Sequence, residues 1–576
     1  MERVIRRREQ PATGLSTSEL HPLLARVYAA RGIASTEELS LGLDQLLPPG
    51  SLYQSDTAGQ LLAEAVISQR RILVIGDYDA DGATSTALTL AALRAMGAEQ
   101  VDYLVPNRFE YGYGLTPEIV ALAVPRSPDL IITVDNGISS IEGVKAAAAA
   151  GIQTLVTDHH LAGSELPIAD VIVNPNQPDC GFASKALAGV GVVFYCLLAL
   201  RAELRRHDWF SSARPEPNLA DFLDLVALGT VADVVPLDRN NRILVNAGLE
   251  RIRAGRARPG ILALLEVAGR NPQRIVASDL GFAVGPRLNA AGRLDDISIG
   301  IECLLAEDFA HARQIASRLN DFNQDRRAIE RDMQDSALTH LEALDLSSGG
   351  VPPIAICLYD PDWHEGVVGI LASRIKDKLH RPTIAFANGA DGNLKGSARS
   401  IKGIHIRDVL DAVATRHTGL VSKFGGHAMA AGLSLPSDKL EAFQTAFVEE
   451  VERHAEDVEL DAIIESDGEL TPADIDLGLA ESLRYAGPWG QHFPEPVFDG
   501  VFRIVDQRLV GERHLKMVLS LPGSSDIVDG IAFNIDPAKW PDTSVDRVRL
   551  AYRLDVNEWR GRRSVQLMVE HLEHCA

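Results

Sequence analysis

Between Arg71 and Pro175, short apolar runs rich in β-branched residues alternate with Ala-rich stretches. Ile72–Ile75, Val101–Val105, Leu130–Val134, Thr154–Val156 and Val171–Val173 read as strands, with Ala83–Met96 and Ile141–Ala150 as crossover helices. Strands apolar on both faces and linked in this way predict a parallel sheet covered by helices on each side. Helical patterns follow at Ala186–Arg206 and around Phe222–Leu228, before a loop-rich region that includes Gly285–Arg293.

From Ile301 to Ser348 there is no Gly or Pro, and Leu305, Phe309, Ala312, Ile315, Leu319 and Phe322 recur at steps of three and four. That periodicity predicts one long amphipathic helix, on the order of 50 Å or more, able to hold two domains apart with a cleft between them. Ser347–Pro353 marks a boundary. A second α/β unit follows, with a helical pattern at Val367–Leu379, a strand at Thr383–Phe386 and a Gly-rich run at Gly425–Gly432. Beyond Asp467 the polarity alternates, and Val548–Val556 faces Ser564–Val569 across Gly561, which predicts a small antiparallel barrel of OB type. The expected division is an α/β domain at 1–300 with a helical extension at 1–50, a connecting helix at 301–348, a smaller α/β domain at 349–456 and the barrel at 457–576.

The 576 residues carry 56 Lys+Arg against 79 Asp+Glu, a net charge of −23. A protein that only wraps duplex DNA is usually basic, so nucleic-acid contact would have to come from local grooves or from cations that neutralise clustered carboxylates. Five widely spaced cysteines without a CxxC pair give no disulfide frame or thiolate zinc site, and fit a reducing cytosol. The start of the chain lacks an apolar core of signal-peptide type, and the longest apolar stretch, Ala186–Leu200, is too short to span a bilayer. A cytoplasmic protein without a membrane segment is expected.

The segment Gly76-Asp77-Tyr78-Asp79-Ala80-Asp81-Gly82 sets three carboxylates at alternate positions directly after a buried strand. Alone, it reads equally as a solvated acidic turn or as a cation loop, although an EF-hand would need a Glu at the twelfth position. Val134-Asp135-Asn136-Gly137 closes a second strand, Thr157-Asp158-His159-His160 a third, and Asp233 follows a helical run. In an open parallel sheet the ligand crevice lies beyond the carboxyl ends of the strands, so these groups converge. Carboxylates with one or two imidazoles suit Mn²⁺ or Mg²⁺, and the set is large enough for two ions sharing an Asp. Paired ions of this kind activate water for phosphoryl chemistry. No P-loop, GxSxG elbow or GxGxxG fingerprint is present.

In their order, DYDADG, VDNG, DHH and VAD resemble the four motifs of the DHH phosphoesterase superfamily, and GGHAMAAG resembles the glycine-rich motif of its DHHA1 domain. With WHEGVVGILASRI, GSARS and a terminal barrel, the chain is similar along nearly its whole length to the single-strand-specific 5′→3′ exonucleases of that superfamily. The resemblance implies metal ligation by Asp77, Asp79, Asp81, Asp135, His159 and Asp233, with Asp135 bridging two ions. Pyrophosphatase-type relatives carry a His where Asp77 stands. His160 would lie near the scissile phosphate and Asp158 would orient the imidazoles. Asp79, Asp81, Asp135, His159 and His160 form the implied catalytic set.

Arg108, Ser397 and Arg399 would recognise a 5′-phosphate, with surface ion pairs as the plain alternative for the arginines. Arg287 and Asn289 would touch the strand or shape a loop; His427 would approach a phosphate or sit in ordinary Gly-Gly packing. Trp559, Arg560 and Arg562 would grip a strand by stacking and charge, or form a solvated hairpin tip. The implied activity is release of 5′-mononucleotides from single-stranded DNA in repair and recombination, by a monomer working with single-strand-binding protein and a RecQ-type helicase. The rivals are a phosphodiesterase of short oligoribonucleotides or cyclic dinucleotides, which would lack the barrel, and a silent replication scaffold, which would tolerate loss of the acidic motifs.

Overall fold

A computed structural model describes residues 3–9, 15, 20–106, 111, 113–343, 353–389, 392–455, 458–537, 539–542 and 544–575. The first sheet comprises β1 (Ile72–Gly76), β2 (Val101–Leu104), β3 (Leu130–Val134), β4 (Gln153–Thr157) and β5 (Val171–Val173), in the order β2-β1-β3-β4-β5. All pairings are parallel. Leu73, Ile75, Ile131 and Val156 pack under the helices Pro117–Ala123 and Ile141–Ala149 on one face. Helices α1 (Ala80–Ala95), α2 (Gly189–Arg206) and α3 (Leu223–Ala232) pack together, and α1 is buried over most of its surface because small residues line it. A helix buried on all sides needs no amphipathic stripe.

Three expectations change. Gly285–Leu294 is a helix (α4) rather than a loop: Pro286 stands in its first turn, where a missing N–H costs nothing, and a π-helical turn at Leu280–Val284 leads into it. The long helix, α5, runs Phe309–Ala343, about 50 Å at 1.5 Å per residue, and is separate from the helix Ser298–Leu305. Ala306 is extended, and Asp308 Oδ1 accepts the His311 N–H at 2.9 Å, so a new helix starts there. Among the described residues of the first 50, expected to be helical, are the strand Arg3–Arg7, paired with Ala462–Ser466, the α-helix Pro22–Ala29 and short 3-10 turns at Thr36–Leu39, Leu43–Gln45 and Pro49–Ser51.

The chain divides into two compact units, Ile5–Asn320 with Ile464–Ala576, and Asp321–Ile463 with Met1–Val4. In the latter, Ile356–Tyr359, Thr383–Asn388, Asn393–Arg399, Ala430–Pro436 and Lys423–Gly426 form a mixed sheet in that spatial order. Phe386, Phe443 and Phe447 fill its core on one face; helix α6 (Val368–Leu379) covers the other. In the larger unit, Phe498–Val510, His514–Ser520, Ile527–Ala532, Arg562–His574 and Arg547–Trp559 close a five-stranded barrel. Its pairings are antiparallel except Ile527–Ala532 with Arg562–His574, the parallel contact that closes an OB-type barrel. Among the described residues no helix is long and apolar enough to cross a membrane.

Candidate metal centre

Gly76 is in register with Val134, and Val134 with Thr157. Asp77, Asp135 and Asp158 therefore leave the sheet at one level. The chain reverses its direction across the sheet between β1 and β3, which opens a crevice at that edge. Asn136 holds the seam, donating from Nδ2 to Ile75 O at 3.1 Å and Val134 O at 2.9 Å.

Asp79 caps α1: its Oδ1 accepts the N–H groups of Asp81 and Gly82, each at 3.0 Å. Such a cap satisfies helix donors that would otherwise be orphaned. Asp81, buried in the first turn, accepts from Gly189 N at 2.6 Å and Val190 N at 3.0 Å, the start of α2. Asp135 occupies the left-handed region at φ 62°. A Cβ at Gly189 would lie 2.7 Å from the Asp135 Cβ, so glycine alone lets α2 begin this close.

His159 Nε2 lies 3.1 Å from Asp135 Oδ1, 3.5 Å from Asp233 Oδ2 and 4.0 Å from Asp81 Oδ2. Asp233 is the residue that ends α3. His160 Nδ1 is 2.8 Å from Asp158 Oδ1, which also accepts the N–H groups of His159 and His160. The second Asp158 oxygen accepts from Ile138 N at 2.9 Å. Tyr113 donates from its hydroxyl to Asp135 O at 3.2 Å.

Three ligand sets result: Asp77, Asp79 and Asp135; Asp135, His159 and His160; Asp81, His159 and Asp233. In each, one ligand atom per residue lies within 4.8 Å of the others. Asp135 and His159 each belong to two sets, and of the two only the Asp135 carboxylate has the lone pairs to be shared between neighbouring ions.

Burial, then the charges of Asp81, Asp79, Asp77 and Asp233, raises the Asp135 carboxyl well above its ordinary range. Burial and then Asp233 push Asp81 up to about 7; burial and then Asp79 push Asp233 up to about 8. Burial and then His160 lower His159. Burial opposes a charged His160, but the hydrogen bond and charge of Asp158 outweigh it and raise the group to about 9. Burial likewise opposes ionisation of Asp158, yet the His160 bond holds its carboxyl below the usual range.

So much like charge in one buried place needs a cation. The atoms fit one: Asp135 Oδ1, His159 Nε2 and Asp233 Oδ2 are buried without a hydrogen-bond partner. Although Asp135 Oδ1 and His159 Nε2 are 3.1 Å apart, they do not satisfy one another by a hydrogen bond. Oxygen and imidazole donors of this kind suit Mn²⁺ or Mg²⁺.

Comparison with known proteins agrees with this geometry. Residues 71–230 match the DHH family, N-terminal domain, residues 352–453 the DHHA1 domain, and residues 466–571 the RecJ OB domain. The single-stranded-DNA-specific exonuclease RecJ of Dickeya dadantii (strain 3937) is 57% identical over 99% of this chain and 98% of its own length. That of Escherichia coli (strain K12) is 55% identical over the same shares. The chain belongs to the RecJ family. RecJ from Thermus thermophilus in complex with Mn²⁺ superposes with a TM-score of 0.79 at 31% identity, covering 97% of this chain and 76% of that one. Its Mg²⁺ complex gives 0.73 at 30%, covering 97% and 75%.

The strand-binding residues expected by resemblance to RecJ-type enzymes are placed in several parts of the fold. Arg108 lies outside the described residues. Arg287, on α4, is buried and donates to Ala283 O at 2.6 Å and to Asn320 Oδ1 at 2.9 Å. Asn289 Oδ1 accepts the Ala80 N–H at 2.7 Å, and a Cβ at Gly292 would lie 1.9 Å from Tyr78 O. Helix α4 is thus a mould for the acidic loop. Arg399 Nη1 donates to Ser397 Oγ at 2.9 Å and to Ala398 O at 2.8 Å. Both side chains lie against Gly369 in the first turn of α6, where a Cβ would come within 2.9 Å of each. His427 is exposed in the turn between Lys423–Gly426 and Ala430–Pro436, its N–H donating to Ala430 O at 2.7 Å. Trp559 pairs with Arg562 across a tip formed by Arg560 and Gly561, both with positive φ, and the Arg560 and Arg562 side chains are exposed.

Sequence reading missed Asn174 and Asn176, which donate to His160 O at 2.9 Å and His159 O at 2.5 Å and so fix the histidine backbone. The signal was the Asn174-Pro175-Asn176 turn directly after β5.

Proposed function

We propose that the chain is a metal-dependent exodeoxyribonuclease that enters single-stranded DNA at its 5′ end and releases 5′-mononucleotides. The observation that carries this reading is the convergence of Asp77, Asp79, Asp81, Asp135, His159, His160 and Asp233, with three buried ligand atoms left unpaired. Two divalent cations held there would supply Lewis-acid activation of water and of phosphate oxygens.

The chain's own residues do the rest. Asp79 and Asn289 hold the acidic loop by backbone hydrogen bonds, and the start of α2 clamps Asp81. Asp158 orients His160 through the 2.8 Å contact at Nδ1, which suits a group placed to hydrogen-bond a phosphate oxygen. Ser397 and Arg399, beside the first turn of α6, combine a hydroxyl and a guanidinium, a set suited to a terminal phosphate. The barrel would hold the strand through Trp559, Arg560 and Arg562. Work in DNA repair and recombination in the cytoplasm, with single-strand-binding protein and a RecQ-type helicase, and a monomeric state belong to the same proposal.

The test is digestion of 5′-phosphorylated single strands, 3′-labelled single strands, duplex and short RNA with Mn²⁺ or Mg²⁺. Mononucleotide release from the 5′ end of single-stranded DNA is expected. Equal digestion of duplex, or release from the 3′ end, would refute the assignment.

A further inference from the structure

In a chain of net charge −23, a cavity whose lining holds more guanidinium groups than carboxylates stands out. One such place lies within the larger unit, where the barrel hairpin Arg547–Trp559/Arg562–His574 meets the turn around Pro272–Arg274. A cavity of about 330 Å³ there is lined by Arg270, Arg274, Arg484 and Arg563, against two carboxylates, Asp279 and Glu558.

Each arginine has an acidic neighbour: Arg270 with Asp279 at 3.3 Å, Arg484 with Asp555 at 3.3 Å, Arg274 with Glu558 and Arg563 with Glu481. These are partly exposed pairs of small individual worth. A guanidinium offers five N–H donors and a bidentate carboxylate occupies two of them, so donors remain for another anion. Arg484 Nε is buried and has no hydrogen-bond partner. Tyr485 supplies a ring that is 43% exposed in the same cavity, and the Arg253 guanidinium lies 5.0 Å from the ring centroid.

The pocket wall continues toward the metal centre. Asp279 leads directly into the turn Leu280–Val284, which carries Phe282, 79% exposed. Cβ atoms built at Gly281 and Gly285 meet Val231 and Ala232, the residues that precede Asp233. A single turn therefore joins the arginine pocket to the ligand-bearing end of α3, with an exposed aromatic ring on it.

We propose that this pocket binds one nucleotide unit of the single strand, its phosphate held by Arg274 and Arg484 and its base stacked on Tyr485. Several cations beside one aromatic face are the chemistry that grips a strand without reading its sequence. The inference rests on the single-strand reading above and adds a subsite beyond the metal centre, the hairpin tip and the Ser397–Arg399 pair.

The test is fluorescence anisotropy of a labelled 30-nucleotide oligothymidylate with the full chain in EDTA, so that cleavage is absent. The Arg274→Gln/Arg484→Gln variant is expected to bind about ten-fold more weakly, with a log–log salt slope shallower by about 0.7 for each phosphate that the variant no longer neutralises. Glu558→Gln removes a competing acid without removing a cation and is expected to tighten binding. Thermal melts establish that both variants are folded. Unchanged affinity and slope in both would overturn the proposal, as would displacement of the 30-mer by micromolar thymidine monophosphate, which would make the pocket a site for free nucleotide. Cleavage of the same oligonucleotide by the wild-type chain in Mn²⁺ is scored separately, so failure of the hydrolytic reading is distinguished from failure of the pocket.

Discussion

His159 Nε2 stands 3.1 Å from Asp135 Oδ1, both atoms buried and neither satisfied by a hydrogen bond. Two acceptor-type ligand atoms in this relation are stable together only around a cation or with a proton between them. Replacing Asp135 with Asn keeps the shape and removes the charge shared by two of the ligand sets. Hydrolysis is expected to fall by more than about 100-fold, beyond the cost of about 10- to 100-fold for disturbing outer partners of a metal site. Single-strand binding in EDTA is expected to persist. Steady-state nucleotide release and anisotropy on one preparation check this, and retention of activity would remove Asp135 from the site.

Metal and pH should be linked. Asp81 is raised to about 7 and Asp233 to about 8 without an ion, whereas unfolded chains release these protons near 4. Between those values the folded state binds more protons than the unfolded one, so stability of the metal-free protein falls as pH rises from about 4 to 8. Bound cations replace those protons, and the stabilisation they give grows over the same window. Melting temperatures in EDTA and in Mn²⁺ at pH 6, 7 and 8 should diverge with pH, and Asp233→Asn should flatten the EDTA series. Parallel curves would contradict the coupling.

The strand ends that bear Asp77, Asp135 and Asp158 were legible in the sequence because fully apolar β-branched runs stop abruptly at acidic residues, and parallel pairing puts such stops on one edge. Helix α4 was not legible. Its Gly285-Pro286 start and Gly292 read as loop punctuation, whereas Pro286 sits in a first turn and Gly292 makes room for the Tyr78 carbonyl, a contact 214 residues away in the chain. The break in the long helix at Asp308 was masked by continuous apolar periodicity, since a capping carboxylate interrupts a helix without Gly or Pro.

Asn289 allows moulding and strand contact to be told apart. Its Oδ1 is the acceptor for Ala80 N–H at the start of the acidic loop. Asn289→Ala leaves that donor unpaired, at a cost of about 1 to 3 kcal/mol, and loosens Asp79 and Asp81. Metal affinity is expected to drop by about 10- to 100-fold with oligothymidylate binding in EDTA unchanged. Weaker strand binding at unchanged Mn²⁺ affinity, read by calorimetry, would place Asn289 on the strand instead.

Recognition of a terminal phosphate can be isolated at Arg399. Burial holds its guanidinium below the usual range, and its hydrogen bonds go to the neutral Ser397 hydroxyl and Ala398 carbonyl. A partly buried cation with neutral partners gains from an incoming anion, and a hydrogen bond to a charged group contributes about 1.5 to 3 kcal/mol. Arg399→Gln should therefore reduce kcat/KM on 5′-phosphorylated single strands by about 10- to 150-fold and leave 5′-hydroxyl strands little changed. Gly369→Ala tests the same pocket sterically, because its Cβ would come within 2.9 Å of both Arg399 Nη2 and Ser397 Oγ. Both variants should erase the preference for a 5′-phosphate in a competition between the two substrates. A preference that survives both would assign Arg399 to the packing of α6 against its sheet.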